Sequence, residues 1–360
     1  MRVKTILIAA IGLLLVQCCC LSGLLSEQQQ SVQTLAATAE ILPEQTFATA
    51  VPELPSPPPQ QPATRPTLAP DTASITTTQV YTVRQTLRLV NEGSAPVEEL
   101  KLRIALIRDW EPYQQVRSMV ISPSEYELVT DQYDNHYAEF WFFDVRPGDS
   151  LPIDLEFEVA VNGLKFDLGN CSGPMIQEPT GAERFLEVDH SSIQSLAGQL
   201  SQNTGTTCEI SENIYTYVID TLDYAGYLPE SLGAVEALRR GSGDCTEYSD
   251  LAISLHRAAG IPAQFVEGIT YSRDGFYDEG QSKHDWLEVY LPGTGWVPLD
   301  PTWGEESNHF ARLKPDHIII TKGRNLEMLD DYHFWAFWWW GDTSKVTVNA
   351  YDESWRIWKK

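Results

Sequence analysis

Apolar and polar positions change period along the chain, and each change marks a boundary. Residues 76–90 alternate, ending V-Y-T-V-R-Q-T-L-R-L-V, and 97–107 repeat the pattern with Leu100, Leu102, Ile104 and Leu106 on one face. Residues 137–145 and 151–161 continue it, with turns at Asn91-Glu92-Gly93-Ser94 and Arg146-Pro147-Gly148-Asp149. Period two with turns at this spacing predicts strands of a β-sandwich over 76–170. The period then lengthens. Residues 191–200 and 210–225, the latter with Ile214, Val218, Ile219 and Leu222, predict two helices. Leu251, Leu255 and Ala259 recur at spacing four, and Gly260 and Pro262 stop that third helix. Residues 284–291 and 296–300 flank the turn Pro292-Gly293-Thr294-Gly295 and read as a hairpin. Residues 316–321 and 346–351 read as closing strands. Between them lies H-F-W-A-F-W-W-W at 333–340. One strand cannot face all these rings inward, because side chains alternate. The expectation is burial of one set, with the other exposed, as a stacking surface for sugar or a peptide rim, or meeting another domain.

The N-terminus has no such period. Arg2 and Lys4 precede an apolar run from Ile6 to Val16, so residues 1–26 read as a signal peptide or a membrane or lipid anchor. Leu15-Val16-Gln17-Cys18 resembles a lipidation motif, with Gln17 where a small residue is expected, and Cys18, Cys19 and Cys20 are the candidate acceptors. Lipidation, an uncleaved anchor and simple removal all place the globular part outside the cytoplasm, and outward-facing membrane attachment is the expectation. Residues 27–75, rich in Pro, Thr and Gln, cannot build a core and predict a disordered linker.

Charge narrows the partners. The 360 residues carry 25 Lys and Arg against 50 Asp and Glu, a net charge of -25, which argues against nucleic acid and against electrostatic adhesion to an anionic membrane. Cys171 and Cys208 are disulfide candidates in an exported chain, with Cys245 left over. The chain has no C-x-x-C pair, scattered histidines and no loop of EF-hand type, so neither metal nor cofactor is expected.

The chemistry gathers in residues 241–304. Asp244 with Glu247 three residues on reads as a capping box, making Cys245 the first helical residue. A thiol there lies in the positive end of the helix dipole, which favours thiolate. Gly241, Ser242 and Gly243 allow close backbone approach. Mirror arithmetic about the hairpin turn puts His284 opposite roughly Trp303, three past Asp300. Thiol, imidazole and carboxylate are the parts of a nucleophile, a general acid–base and its orienting group.

These motifs resemble the transglutaminase-like superfamily, a branch of the papain-like cysteine enzymes. They are G-D-C-T-E-Y-S, L-H-R-A-A-G-I-P-A, H-D-W-L-E-V-Y and G-W-V-P-L-D-P-T, in the family's order. The resemblance implies an α+β fold, with a papain-like, transglutaminase-like domain over 176–360 preceded by the sandwich, taken as immunoglobulin-like. It implies a Cys245, His284, Asp300 catalytic triad, and hints that an aromatic residue near Tyr224 helps an oxyanion site. Two positions depart from the family pattern. Asp285 stands where a small residue is usual, and Gln264 where a basic one is common.

The function so implied is an extracytoplasmic thiol acyl-transfer enzyme on peptide or amide bonds, hydrolytic as exported microbial members are. Its substrate is a protein or peptide, with cell-wall peptide among the candidates. A protein-crosslinking transglutaminase would use the same triad. A catalytically idle cell-surface binding scaffold is the reading from another class, and in a third the front sandwich recognises the target.

Overall fold

A computed structural model of the chain describes residues 72–169, 171–176, 180–271, 283–305 and 307–360. The leader, the cysteines at 18–20 and nearly all of the predicted linker lie outside these residues.

The front part is all strand: β1 (Ala73–Asn91), β2 (Val97–Leu106), β3 (Gln114–Ser122), β4 (Glu127–Thr130), β5 (His136–Val145) and β6 (Ser150–Phe166). Alternation in β1 works as its sequence dictates. Tyr81, Val83, Leu87 and Leu89 are buried, while Thr82, Arg84, Thr86 and Arg88 face outward. Next come α1 (Ser191–Leu200), α2 (Thr207–Thr221), β7 (Asp223–Tyr224), α3 (Ala234–Arg240), β8 (Ser242–Gly243) and α4 (Cys245–Ala258). Then follow β9 (Ala263–Thr270), β10 (Lys283–Leu291), β11 (Gly295–Leu299), β12 (Arg312–Leu313), β13 (His317–Lys322), β14 (Trp335–Trp340) and β15 (Val348–Lys359).

Three antiparallel sheets result. In the first, β6 pairs with β3 and β12 on one side and β1 on the other, and β15 pairs with β1; the second runs β14-β2-β5-β4 and the third β11-β10-β9-β13. Buried side chains of the first two sheets form one core, with Leu89, Leu102, Phe140, Phe157 and Trp355 among them. Both sheets therefore need the chain's end. β14 and β15, which follow the helical segment, pair with β2 and β1. In the Trp-rich strand Trp335, Phe337, Trp338 and Trp339 all pack against this core and Ala336 is buried in it, while Trp340 is exposed and stacks on Trp141 across the sheet, so alternation is not clean.

The third sheet carries α4 on one face, around a second core that includes Leu251, Leu255, Phe265, Leu287 and Val297. Its edge strand β13 is closed by side chains. The Gln114 amide donates to the Ile319 carbonyl at 2.9 Å and accepts the Ile319 N–H at 2.8 Å. Asn135 does the same at Lys322, at 2.8 Å each way. Buried amides thus satisfy backbone groups that an edge leaves open, and tie the third sheet to the front strands. Cys171 and Cys208 are joined in a disulfide, fastening the segment after β6 to α2.

Candidate active site

α4 begins as its sequence signals. The Asp244 side chain accepts the Thr246 N–H at 2.9 Å, and Glu247 accepts the Asp244 N–H at 3.1 Å. Each carboxylate has a second task that spacing does not reveal. Asp244 also accepts the Leu228 N–H and Glu247 the Leu232 N–H, both at 2.8 Å. The capping pair thereby grips the 227–232 loop, one wall of a cleft of about 110 Å³ that Cys245 lines. Gly243 is needed here, because a Cβ would run into the Glu247 side chain. Burial lifts the Glu247 carboxyl to about 7.

The Cys245 thiol looks onto this cleft, partly exposed. Its sulfur lies 4.0 Å from Asp285 Oδ2. Burial, then Asp285, then Asp244 push the thiol well above the ordinary thiol range, and Asp300 adds to this, against a backbone hydrogen bond from Asp285. The expected thiolate is therefore not the resting form, because burial and the carboxylates around the sulfur favour the protonated thiol.

His284 and Asp300 meet. The His284 Nε2–H donates to Asp300 Oδ2 at 2.9 Å, and both residues are buried. The hairpin that delivers them pairs Leu287 with Leu299 as its last rung, so Asp300 falls just beyond the ladder. Trp303, expected opposite His284, stacks on it at 4.6 Å and 13°. Among the described residues no hydrogen bond joins Cys245 to His284. Strand alternation explains this: His284 and Asp285 point to opposite faces of β10, and Asp285 takes the face toward α4. Because β11 pairs with β10 only from Leu287 on, the Asp285 N–H on the open edge reaches the sulfur. Cys245 thus sits on the edge of the strand whose two faces carry Asp285 and His284.

One participant escaped the sequence. His317 on β13 donates from Nε2 to Asp300 Oδ2 at 3.2 Å and from Nδ1 to Asp316 at 2.7 Å. Burial pulls His317 down, but these two carboxylates lift it to about 9, so it is an imidazolium. Burial pushes Asp300 up, yet His284 and His317 together hold it far below the carboxylate range. The ligand atoms of His284, Asp300 and His317 lie within 4.8 Å of one another, so the three could hold a metal ion. Both imidazoles already donate to the one carboxylate oxygen, which is the pattern of a hydrogen-bonded relay. The only sequence signal for His317 was a histidine opening a strand of three isoleucines.

α2 ends earlier than its periodicity suggests, since Asp223 and Tyr224 turn into β7 and pair with Ser242 and Gly243 of β8. This puts Tyr224 beside the approach to Cys245. Burial, then Cys245 and Asp244, raise its hydroxyl to about 12. Gln264 donates to Glu288, which also receives the Lys322 ammonium at 2.7 Å. Its place is a buried polar network away from the thiol.

Comparison with known proteins bears on the same segment. Residues 194–301 match the model of the transglutaminase-like superfamily. The uncharacterized protein YebA of Bacillus subtilis is 27% identical over 155 residues, 36% of this chain and 20% of that protein. The uncharacterized protein ML0607 of Mycobacterium leprae is 22% identical over 232 residues, 59% of this chain and 80% of its own length. This chain thus spans about a fifth of YebA. Among solved structures, a candidate cysteine protease from Cytophaga hutchinsonii superposes with a TM-score of 0.58 at 14% identity, covering 80% of this chain and 92% of that one. That likeness shows the fold.

Proposed function

We propose that this chain, whose residues 194–301 are a transglutaminase-like core, is a thiol acyl-transfer enzyme that hydrolyses peptide or amide bonds outside the cytoplasm. The observation that carries the reading is a capped cysteine opening onto a cleft beside β10, the strand that also carries a buried histidine paired with a carboxylate. α4 opens a cleft with a capped cysteine, while β10 and the end of β11 hold a buried imidazole–carboxylate pair. The fold shared with a candidate cysteine protease supports it. The disulfide and the leader pattern support an extracytoplasmic site of action. The front sheets then serve as a positioning module, attached to the membrane through the N-terminal segment.

The chemistry follows from the hydrogen bonds. With Nε2–H given to Asp300, His284 keeps its lone pair on Nδ1. In the attack the sulfur–carbon bond forms as the thiol proton passes to Nδ1. The thiol and imidazole close up when substrate fills the cleft, as catalytic hydrogen bonds commonly do. The Cys245 N–H, at the head of α4, faces the developing oxyanion. Nδ1–H then protonates the leaving amine as the carbon–nitrogen bond breaks. Water, giving its proton to Nδ1, cleaves the thioester and restores the thiol. An amine in place of that water would crosslink instead.

A panel of peptide amides incubated with wild type, Cys245→Ala and His284→Ala tests this. Cys245→Ala should abolish turnover, and His284→Ala should lower it by about 10²–10⁴. Turnover that survives Cys245→Ala would overturn Cys245 as the nucleophile, and a wild type without turnover would favour the binding-scaffold reading.

A further inference from the structure

Asp285 is the position where the H-D-W motif departs from the pattern of the family it resembles, and its carboxylate lies against the sulfur. Alternation in β10 turns it to the α4 face, where Oδ2 lies 4.0 Å from Cys245 Sγ and accepts the Thr246 hydroxyl at 2.6 Å. Glu267 stands directly across the ladder on β9 and lines the same cleft. The cations nearby are already engaged. His333 pairs with Glu267, Lys283 with Glu353 at 2.9 Å, and Arg324 with Asp250 at 2.9 Å. Among the described residues Asp285 has no ion-pair partner, although it is 5% exposed.

A nearly buried carboxylate beside a nucleophilic thiol is a liability in the resting protein, because it opposes the thiolate. The liability disappears if the substrate brings the counter-charge. We propose that Asp285 is a specificity-determining residue that receives a cationic group, a protonated amine, carried by the substrate next to the carbonyl that Cys245 attacks. This rests on the reading of Cys245 as the nucleophile. It makes activation substrate-assisted: the ammonium that neutralises Asp285 removes the largest of the charges that, with burial, hold the proton on sulfur. A substrate with an acetylated amine or a carboxylate at that place leaves the thiol in its resting form.

The charge preference of the thiol can be read without any turnover. The full chain is treated with 2-aminoethyl (cationic), methyl (neutral) and 2-sulfonatoethyl (anionic) methanethiosulfonate, and modification is followed on the Cys245 peptide by mass spectrometry. Relative to a cysteine-containing peptide, the cationic reagent should outpace the anionic one by about tenfold or more, the range expected for a charge-lined cleft. Asp285→Asn should remove most of that preference, and Asp285→Glu should keep it. Glu267→Gln, which removes a carboxylate already paired with His333, should change it by less than about threefold. A wild type with no charge preference, or an Asp285→Asn protein that keeps the wild-type one, would overturn the proposal. If Asp285→Asn unfolds, Asp285→Ala gives the same reading, and Thr246→Val, which frees the carboxylate from its hydroxyl but leaves its charge, should keep the preference for the cation. A preference for the cation without amide turnover would count against acyl transfer alone, and turnover without the preference against Asp285 alone.

Discussion

Asp300 is the residue on which the site's electrostatics converge, and His317 shows how. An imidazolium held between Asp300 and Asp316 is raised from 6.5 to about 9 in the folded chain. Its contribution to stability is therefore complete below pH 6.5 and is lost as pH rises through about 9. The loss over this window is on the order of 3 kcal/mol. Thermal midpoints between pH 6.5 and 9.5 should fall for wild type. His317→Gln should be less stable at pH 6.5 and show a flatter decline. A wild-type midpoint that is constant over this window would contradict the imidazolium assignment. Cys245 follows the same logic of neighbours, since burial and the carboxylates that raise it are unseen in the local sequence apart from Asp244. The capping box at 244–247 was legible because its partners are three residues apart. The protonated thiol was not, because it depends on burial and on Asp285, forty positions away in the chain.

At the scale of elements, the cap does more than start a helix. Glu247→Ala would release the Asp244 and Leu232 N–H groups together. The expected cost is about 1–3 kcal/mol, from a lost cap and a second unsatisfied donor. Hydrogen exchange should report faster opening of the 227–232 loop as well as of the first turn of α4. Unchanged exchange at Leu232 would sink this double role. Strand β13 makes a parallel case. Gln114→Leu would leave the Ile319 N–H and carbonyl buried without partners, at an expected cost of about 2–4 kcal/mol in urea unfolding. Neither amide stood out in the sequence, since Gln114 and Asn135 lie in turns and strand ends where amides are ordinary. β1, β2, β5, β6 and α4 were legible because one face of each is apolar in a clean period. Short β3 and β4 were not, because their exposed sides carry Met119, Val120 and Leu128, which blur the alternation.

Across the whole molecule the chain closes on itself. The sequence order suggests a front domain followed by a catalytic one, but β14 and β15 return to the front sheets. No local pattern encodes which sheet a late strand joins. Deleting residues 331–360 should therefore unfold the front part, detected as loss of the near-ultraviolet signal of its buried aromatic residues, and a folded truncated chain would refute the closure. The Cys171–Cys208 crosslink spans 37 positions. Replacing both by Ser should cost about 3–4 kcal/mol by loop-closure entropy, measured as a lowered urea midpoint.

The central claim is that Cys245 attacks a carbonyl with His284, held by Asp300, moving the proton. Trapping the acyl-enzyme tests it most directly. Peptidyl coumarin amides with Lys or Ala at the scissile amide are mixed with the full chain, quenched in acid within the first turnovers and mapped by mass spectrometry. The account predicts a thioester on the Cys245 peptide, absent in Cys245→Ala and reduced at least about tenfold in His284→Ala, the lower range for a general base. Coumarin release with no adduct on Cys245, or an adduct that forms equally fast without His284, would contradict it.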